Sequence, residues 1–378
     1  MKILVATALL SPYRVDWLNE LGKFSDIEIL YLEESDVERE EEWLKKRPDR
    51  CMYTLMKSLD IPKIGKISLD FVKKIKRESF DIIILDGYGF LTQLINIIYL
   101  NMQHKEYFVN IDGIVEKKDE KKITSLLKKL IISKFPYCLC GSKFTNRILV
   151  NYGCGKEKII NHPFTSLFSQ DIALGVLEIG EKNILRKQLG IVEPNVVISV
   201  GRFTYLNGYG KGYDVLLRAA GKMPKDTGWY IVGGKPTKEF EKMTIEAGLS
   251  NVHYIEFLDK KSLFEYYRAS DVFVLMTVGD VWGLVINEAM ACGLPVITTD
   301  KCVAGLDLIK NNENGYIIPV ASDIDLVNRL TFMLNNKDKT AEMGKKSLDK
   351  IQGYTIENLA AVHYNFFKDL LESHREGK

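Results

Sequence analysis

Short runs of consecutive apolar residues alternate along the chain with longer stretches whose apolar positions recur every three or four residues. In the first half the runs fall at 3–6, 27–31, 82–85, 107–110 and 137–140; in the second half they fall at 196–200, 229–232, 252–255, 272–276, 295–298 and 315–318. A strand apolar at every position, rather than every second one, is covered on both faces, as in a parallel sheet. The stretches between, such as 214–222 and 262–269, have helical spacing and serve as crossovers. The pattern predicts an α/β protein of two Rossmann-like, doubly wound parallel-sheet units. The length, 378 residues, suits two domains, and a hydrophobic content of 46% lets each bury a core.

The alternation weakens between 161 and 182, where His162-Pro163-Phe164 opens a linker. This predicts an N-terminal domain over 1–175 and a C-terminal domain over 176–355. The stretch 356–371 reads as one amphipathic helix, so 356–378 is expected to cross back to the first domain. No internal repeat or low-complexity segment interrupts this plan. In open parallel sheets, ligands bind beyond the carboxyl ends of the strands, where the strand order reverses. Candidate residues are therefore those just after the apolar runs, and the expected site is the cleft between the two units.

After 196–200 come Gly201, Arg202 and Phe203, then glycines at 208, 210 and 212 around Lys211, ahead of a helix starting near Tyr213. Glycines let the backbone approach a ligand closely, and two cations beside a helix N-terminus suit a diphosphate. The same residues also read as a flexible surface loop with solvated charges. After 272–276 comes a loop with Asp280 and Trp282, then a helix starting near Gly283 with Leu284, Val285 and Glu288. The first N–H groups of that helix have no intrahelical partner and suit an anion or a sugar hydroxyl. Glu288 is placed to accept from vicinal hydroxyls such as those of a ribose. The alternative is a capping or salt-bridging Glu288, against which its apolar surroundings count, because an unpaired carboxylate there is costly.

With these residues in hand, the chain resembles the family-4 retaining glycosyltransferases of GT-B fold. The family pattern G-R-[FL]…K-G-x-D-x-L-L-x-A is matched by Gly201, Arg202, Phe203, Lys211, Gly212, Asp214, Leu216, Leu217 and Ala219. The pattern E-x7-E followed by A-M-A-x-G-x-P-V is matched from Asp280 through Val296. The resemblance covers most of 195–330 and is looser over 1–180. It implies that Arg202 and Lys211, beside Gly201, bind a donor diphosphate, that Glu288 holds the nucleotide ribose, and that Asp280 contacts hydroxyls of the transferred sugar. Phe257 and Leu258 would lie near the base, and Trp282, Gly283, Leu284 and Val285 complete the implied donor-binding set. Two departures stand out. The first acidic position is Asp280 where the family has Glu. Most members also place a His after the fourth strand of the first domain, whereas here 107–111 is followed by Asp112-Gly113, as in a subset of polysaccharide-assembly relatives. Asp112 then joins Arg202, Lys211 and Asp280 as a catalytic candidate; a turn-forming Asp-Gly pair is the other reading.

The implied reaction moves a sugar, with retention, from a nucleoside diphosphate sugar to a hydroxyl of a glycan or lipid-linked saccharide. Arg202, Lys211 and the helix dipole near Gly283 meet the charge of the leaving diphosphate, so neither a metal nor a cofactor is expected. The leaving phosphate itself takes the acceptor's proton. Acceptor choice is expected around 11–14 and 86–90. A sugar-nucleotide 2-epimerase and a non-catalytic nucleotide-sugar binder share the architecture; the Lys211-Gly212 loop and the 280–288 block count against the epimerase.

Other features narrow the picture. The net charge of +2, without an aromatic-interleaved basic array, argues against a nucleic-acid partner. The apolar stretch 3–10 lacks a small-residue cleavage site, and 90–102 is too short to span a bilayer, so a cytoplasmic protein is expected. The six cysteines show no zinc spacing and read as buried free thiols. Asp323-x-Asp325 reads as a helix start, not a metal motif. The histidines, at 104, 162, 253, 363 and 374, are not expected to be catalytic. Residues 117–134 are lysine-rich, with Ile123, Leu126, Leu127, Leu130 and Ile131 on one helical stripe. An ordinary outer helix with a buried face is the preferred reading, and peripheral contact with the inner face of a membrane is the other.

Overall fold

The computed structural model describes residues 1–33, 45–62, 65–115 and 120–376. Each apolar run forms a strand. Unit 1, Met1–Ser166 with Tyr354–Lys378, contains β1 (Lys2–Leu9), β2 (Asp26–Glu33), β3 (Met52–Leu55), β4 (Leu59–Ile61), β5 (Gly65–Ile67), β6 (Ile82–Asp86), β7 (Phe108–Ile111), β8 (Tyr137–Cys140) and β9 (Ile159–Asn161). Unit 2, Leu167–Gly353, contains β10 (Asn195–Val200), β11 (Thr227–Val232), β12 (Val252–Ile255), β13 (Val272–Leu275), β14 (Val296–Thr299) and β15 (Gly315–Ile318).

The sheet of unit 1 runs β3-β2-β1-β6-β7-β8-β9, and that of unit 2 runs β12-β11-β10-β13-β14-β15. The strands pair in parallel: Ile3 lies opposite Ile27 on one side and Ile82 on the other, and Ile198 opposite Tyr230 and Phe273. These central strands are buried on both faces, which is why their sequences are apolar without alternation. In each sheet the chain winds outward from the first strand, returns, and continues on its other side. The order therefore reverses between β1 and β6 in unit 1 and between β10 and β13 in unit 2. Both units are of the Rossmann type.

The units meet in sequence at Ser166/Leu167 and Gly353/Tyr354, not at the expected 175/176 and 355/356. The C-terminal helix Ile356–Glu376 belongs to unit 1 and packs on helix Pro12–Leu21. Its Phe367 ring meets Phe108 with centroids 4.8 Å apart. Strands β3 and β9 and the antiparallel pair β4–β5 have no counterpart in the apolar pattern. β3 and β9 are short edge strands, and the exposed side chains of β3 give it no reason to be apolar.

Candidate functional site

In unit 2 the carboxyl ends of β10 and β13 mark the point where ligands bind in sheets of this order. Gly201 prolongs β10, its N–H donating to the Val232 carbonyl at 2.9 Å. The segment to Lys211 turns tightly, with Leu206, Asn207 and Gly208 at φ 48°, 51° and 90°. It is fastened to the loop after β13. Val278 N–H and Thr277 Oγ1 donate to the Gly210 carbonyl at 3.1 and 2.9 Å, and the Tyr205 hydroxyl donates to the Gly279 carbonyl at 3.1 Å. The segment is thus a constrained loop with directed charges. Gly212 starts helix Tyr213–Ala220 at φ 71°, and a Cβ there would stand 2.1 Å from the Met276 carbonyl oxygen. Lys211 Nζ meets Asp280 Oδ2 at 2.7 Å across the two loops, with the Tyr205 ring 5.6 Å from the ammonium.

Asp280 is fixed through its backbone as well. Its N–H donates to the Lys301 carbonyl at 3.0 Å, and its carbonyl accepts from Val303 at 3.2 Å. Its Oδ1 accepts the Trp282 N–H at 3.3 Å. Burial, then the Asp280 charge, pushes the neighbouring Cys302 thiol up to about 12. Gly283, at φ 100°, caps helix Leu284–Ala291; a Cβ on it would lie 2.7 Å from Cys302 Sγ. Glu288 stands one helical turn further in, and the buried Tyr267 hydroxyl donates to its Oε2 at 3.4 Å. Burial, then the Glu288 charge, holds the Tyr267 hydroxyl far above its ordinary pKa, so it remains a donor.

The structure therefore brings Gly201, Arg202, Lys211, Asp280, Gly283, Leu284, Val285 and Glu288 to the two central strand ends and the helix behind them. Phe257 and Leu258 follow β12, at the edge of the same sheet, with the Phe257 ring exposed. Trp282 differs from the expectation. Its ring is buried and its Nε1–H donates to Asn287 Oδ1 at 2.9 Å, so the side chain packs the loop. Tyr205 and Tyr267 were not foreseen, since an aromatic at either position reads as core.

Unit 1 builds a second polar cluster at its own reversal point. Arg14, on helix Pro12–Leu21, is buried, and its Nη2 lies 2.7 Å from Asp86 Oδ1 at the end of β6 and 3.0 Å from Asp112 Oδ1 just after β7. The Tyr13 hydroxyl donates to Asp112 Oδ2 at 3.0 Å, Asn110 Nδ2 to Asp86 Oδ1 at 2.9 Å, and Thr7 Oγ1 to Asp86 Oδ2 at 2.7 Å. Burial opposes the Arg14 charge, but Asp112 and Asp86 outweigh it and raise its pKa. Burial and the Asp112 charge raise Asp86 against the pull of Arg14. No turn forms at Asp112-Gly113; Asp112 is a clamped carboxylate. The 11–14 and 86–90 segments, expected to serve acceptor choice, thus supply three members of this cluster, Tyr13, Arg14 and Asp86.

Beside it, His162 Nδ1 and His363 Nε2 approach to 3.1 Å in the interior of unit 1. The structure buries His363 to 1% exposure and His162 to 6%. The Asp323-x-Asp325 pair opens helix Asp323–Asn335, where Ser322 caps by accepting the Asp325 N–H at 3.3 Å and Asp323 pairs with Lys222. Five of the six free cysteines are buried, Cys51 only partly. Among the described residues, no helix is long and apolar enough to cross a membrane.

Residues 181–349 match the glycosyl transferases group 1 model. An uncharacterized glycosyltransferase of Haemophilus influenzae is 25% identical over 323 residues, 82% of this chain and 81% of its own. The N-acetyl-alpha-D-glucosaminyl L-malate synthase of Bacillus anthracis is 26% identical over 203 residues, 51% of each chain. Anabaena HepE, solved in complex with UDP, superposes with a TM-score of 0.78 at 17% identity, covering 98% of this chain and 100% of that one. WaaG, a glycosyltransferase involved in lipopolysaccharide biosynthesis, superposes at 0.68 with 15% identity, covering 97% and 99%. The fold is GT-B and the protein is an enzyme of the glycosyltransferase class, and the stretch that carries its unit 2 site is similar to the group 1 glycosyl transferases.

Proposed function

We propose that the protein transfers a sugar from a nucleoside diphosphate sugar to an acceptor hydroxyl, with retention of configuration and without a metal. The observation that carries this reading is the set of groups at the ends of β10 and β13: Arg202, the Lys211–Asp280 pair at 2.7 Å, and the start of helix Leu284–Ala291 with Glu288 within it. As the glycosidic bond breaks, negative charge grows on the diphosphate. Arg202, Lys211 and the first N–H groups of the helix stabilise it where it forms. Asp280 holds the Lys211 ammonium in place, and its carboxylate is the acceptor for hydroxyls of the transferred sugar. Glu288, oriented by Tyr267, accepts from the ribose hydroxyls, and the exposed Phe257 ring offers a face to the base. The leaving phosphate oxygen takes the acceptor's proton while the acceptor oxygen bonds to the anomeric carbon. Because HepE was solved with UDP, a uridine diphosphate sugar is the first donor to test.

The acceptor is a glycan or a lipid-linked saccharide, and Asp112 of unit 1 is the residue proposed to act in place of the usual His. Peripheral contact with a membrane accompanies the lipid-linked case. The test is turnover of Arg202→Ala and Glu288→Ala with UDP-sugars. Each substitution should lower kcat/KM by about 10²–10³ while the unfolding midpoint stays near that of the parent. Near-normal turnover in both variants refutes the assignment.

A further inference from the structure

Helix Lys122–Ile132 is amphipathic with its faces reversed. Ile123, Leu126, Leu127 and Leu130 recur at the spacing of one helical stripe, the pattern that ordinarily faces a core. Here they are 75%, 59%, 53% and 57% exposed. The helix is attached through its other side: Ile132 is fully buried, Ile131 packs on the unit 1 core, and Lys128 pairs with Glu120 and lies 5.5 Å from the Tyr152 ring. Lys121, Lys122, Lys129 and Lys134 are exposed around the stripe, and Glu120, already paired, is the acid of the 120–134 segment. Helix Leu91–Met102, the preceding crossover, lies on the same face of the sheet by the right-handed rule, and its Ile98 and Met102 are exposed as well.

We infer that this face is a docking surface for an anionic lipid bilayer. The four apolar side chains enter the boundary between headgroups and acyl chains, and the flanking lysines meet lipid phosphates. An exposed apolar stripe alone has several possible occupants; the lysines around it select a negatively charged one. The inference rests on this face of unit 1 and stands whether or not the donor-site reading holds.

The test is co-sedimentation of the full chain with vesicles of phosphatidylcholine mixed with phosphatidylglycerol, against pure phosphatidylcholine. The parent should bind the mixed vesicles, and added salt should weaken the binding. Lys122→Ala and Lys129→Ala should each weaken it about fivefold, and Leu126→Gln and Leu130→Gln about tenfold each. All four should retain the parent's unfolding midpoint and its donor turnover in solution. Arg202→Ala should bind vesicles as the parent does, which separates this inference from the reading of the donor site. Failure to bind the mixed vesicles, or binding that ignores both the lysines and the lipid charge, overturns it. So does a parent that is a dimer in solution and becomes a monomer with Leu126→Gln.

Discussion

Acidification should destabilise unit 1 through the His162–His363 pair. At 3.1 Å one ring nitrogen must donate and the other accept, so the contact needs at least one neutral ring. Burial, opposed in part by the Asp112 charge, lowers His162 from 6.5 to about 3. Burial, the His162 ring and Arg14 drive His363 well below its ordinary value too. Both shifts are depressions of a base, so the folded state keeps the rings neutral while the unfolded chain takes up protons below pH 6.5. The associated stability is fully present above pH 6.5 and is lost as pH falls toward 3. At about 1.4 kcal/mol per pH unit, His162 alone costs the fold roughly 2 kcal/mol at pH 5 relative to pH 7.5. His363 steepens the slope in the same direction.

The assay is urea unfolding followed by tryptophan emission at pH 7.5, 6 and 5. Trp17 is a local reporter, with its ring 5.1 Å from His363 and edge-on to it. The parent should lose stability over this range, and the loss should be shallower in His363→Phe, whatever its absolute stability. In ring-labelled NMR, the His162 signals should not titrate above pH 5. A His162 midpoint near 6.5, or equal slopes in parent and variant, refutes the reasoning.

Three further outcomes follow from the geometry. Gly212→Ala combines a left-handed φ with a clash on the Met276 carbonyl; it should cost about 2 kcal/mol or more, read as a fall of roughly 4–8 °C in Tm, and an unchanged Tm would refute the strain. Asp280→Asn, which removes the charge facing Lys211, should lower kcat more than tenfold, whereas Asp280→Glu should keep turnover and alter preference among UDP-sugars; steady-state kinetics over a donor panel decides. Arg14→Leu leaves Asp86 and Asp112 without their shared cation and should cost about 3–5 kcal/mol in urea unfolding near neutral pH; a parent-like midpoint would refute the clamp.

The strands and the unit 2 loops were legible in the sequence because they obey local rules. An apolar run without alternation has one stable setting, and a glycine before a helix start marks a left-handed turn, as Gly212 and Gly283 do. What stayed hidden depends on partners distant in the chain. Tyr267 serves Glu288 from a different helix, and Arg14 meets Asp112 across 98 positions. His363 carried no sign of burial, because the C-terminal helix acquires its neighbours only when it returns to unit 1. The stripe of helix Lys122–Ile132 misled for the opposite reason. Its spacing is that of a buried face, and spacing alone does not distinguish a protein core from a lipid surface.

Apart from the added edge strand β9 of unit 1, the two sheets share one strand order, yet they place opposite chemistry at their reversal points. At β10 and β13 the chain supplies Arg202, Lys211 and a helix start, with Asp280 and Glu288 as acceptors, a set suited to a diphosphate and its sugar and ribose hydroxyls. At the ends of β6 and β7 it supplies Asp86 and Asp112 around a single guanidinium, which leaves the cluster with a net negative charge. A second phosphate is disfavoured beside two carboxylates, while hydroxyl groups, which can donate to Asp112, are suited to it. The topology fixes where each unit can bind, and the residues after each strand fix what. If the unit 1 cluster receives the acceptor, as proposed, one whose reacting end is an uncharged sugar fits this division, and one bearing a phosphate next to the reacting hydroxyl does not. Competition by free monosaccharides and by their phosphates against the natural turnover would separate the two: stronger inhibition by the phosphates, with Arg14 and Asp112 intact, would refute the assignment of charge.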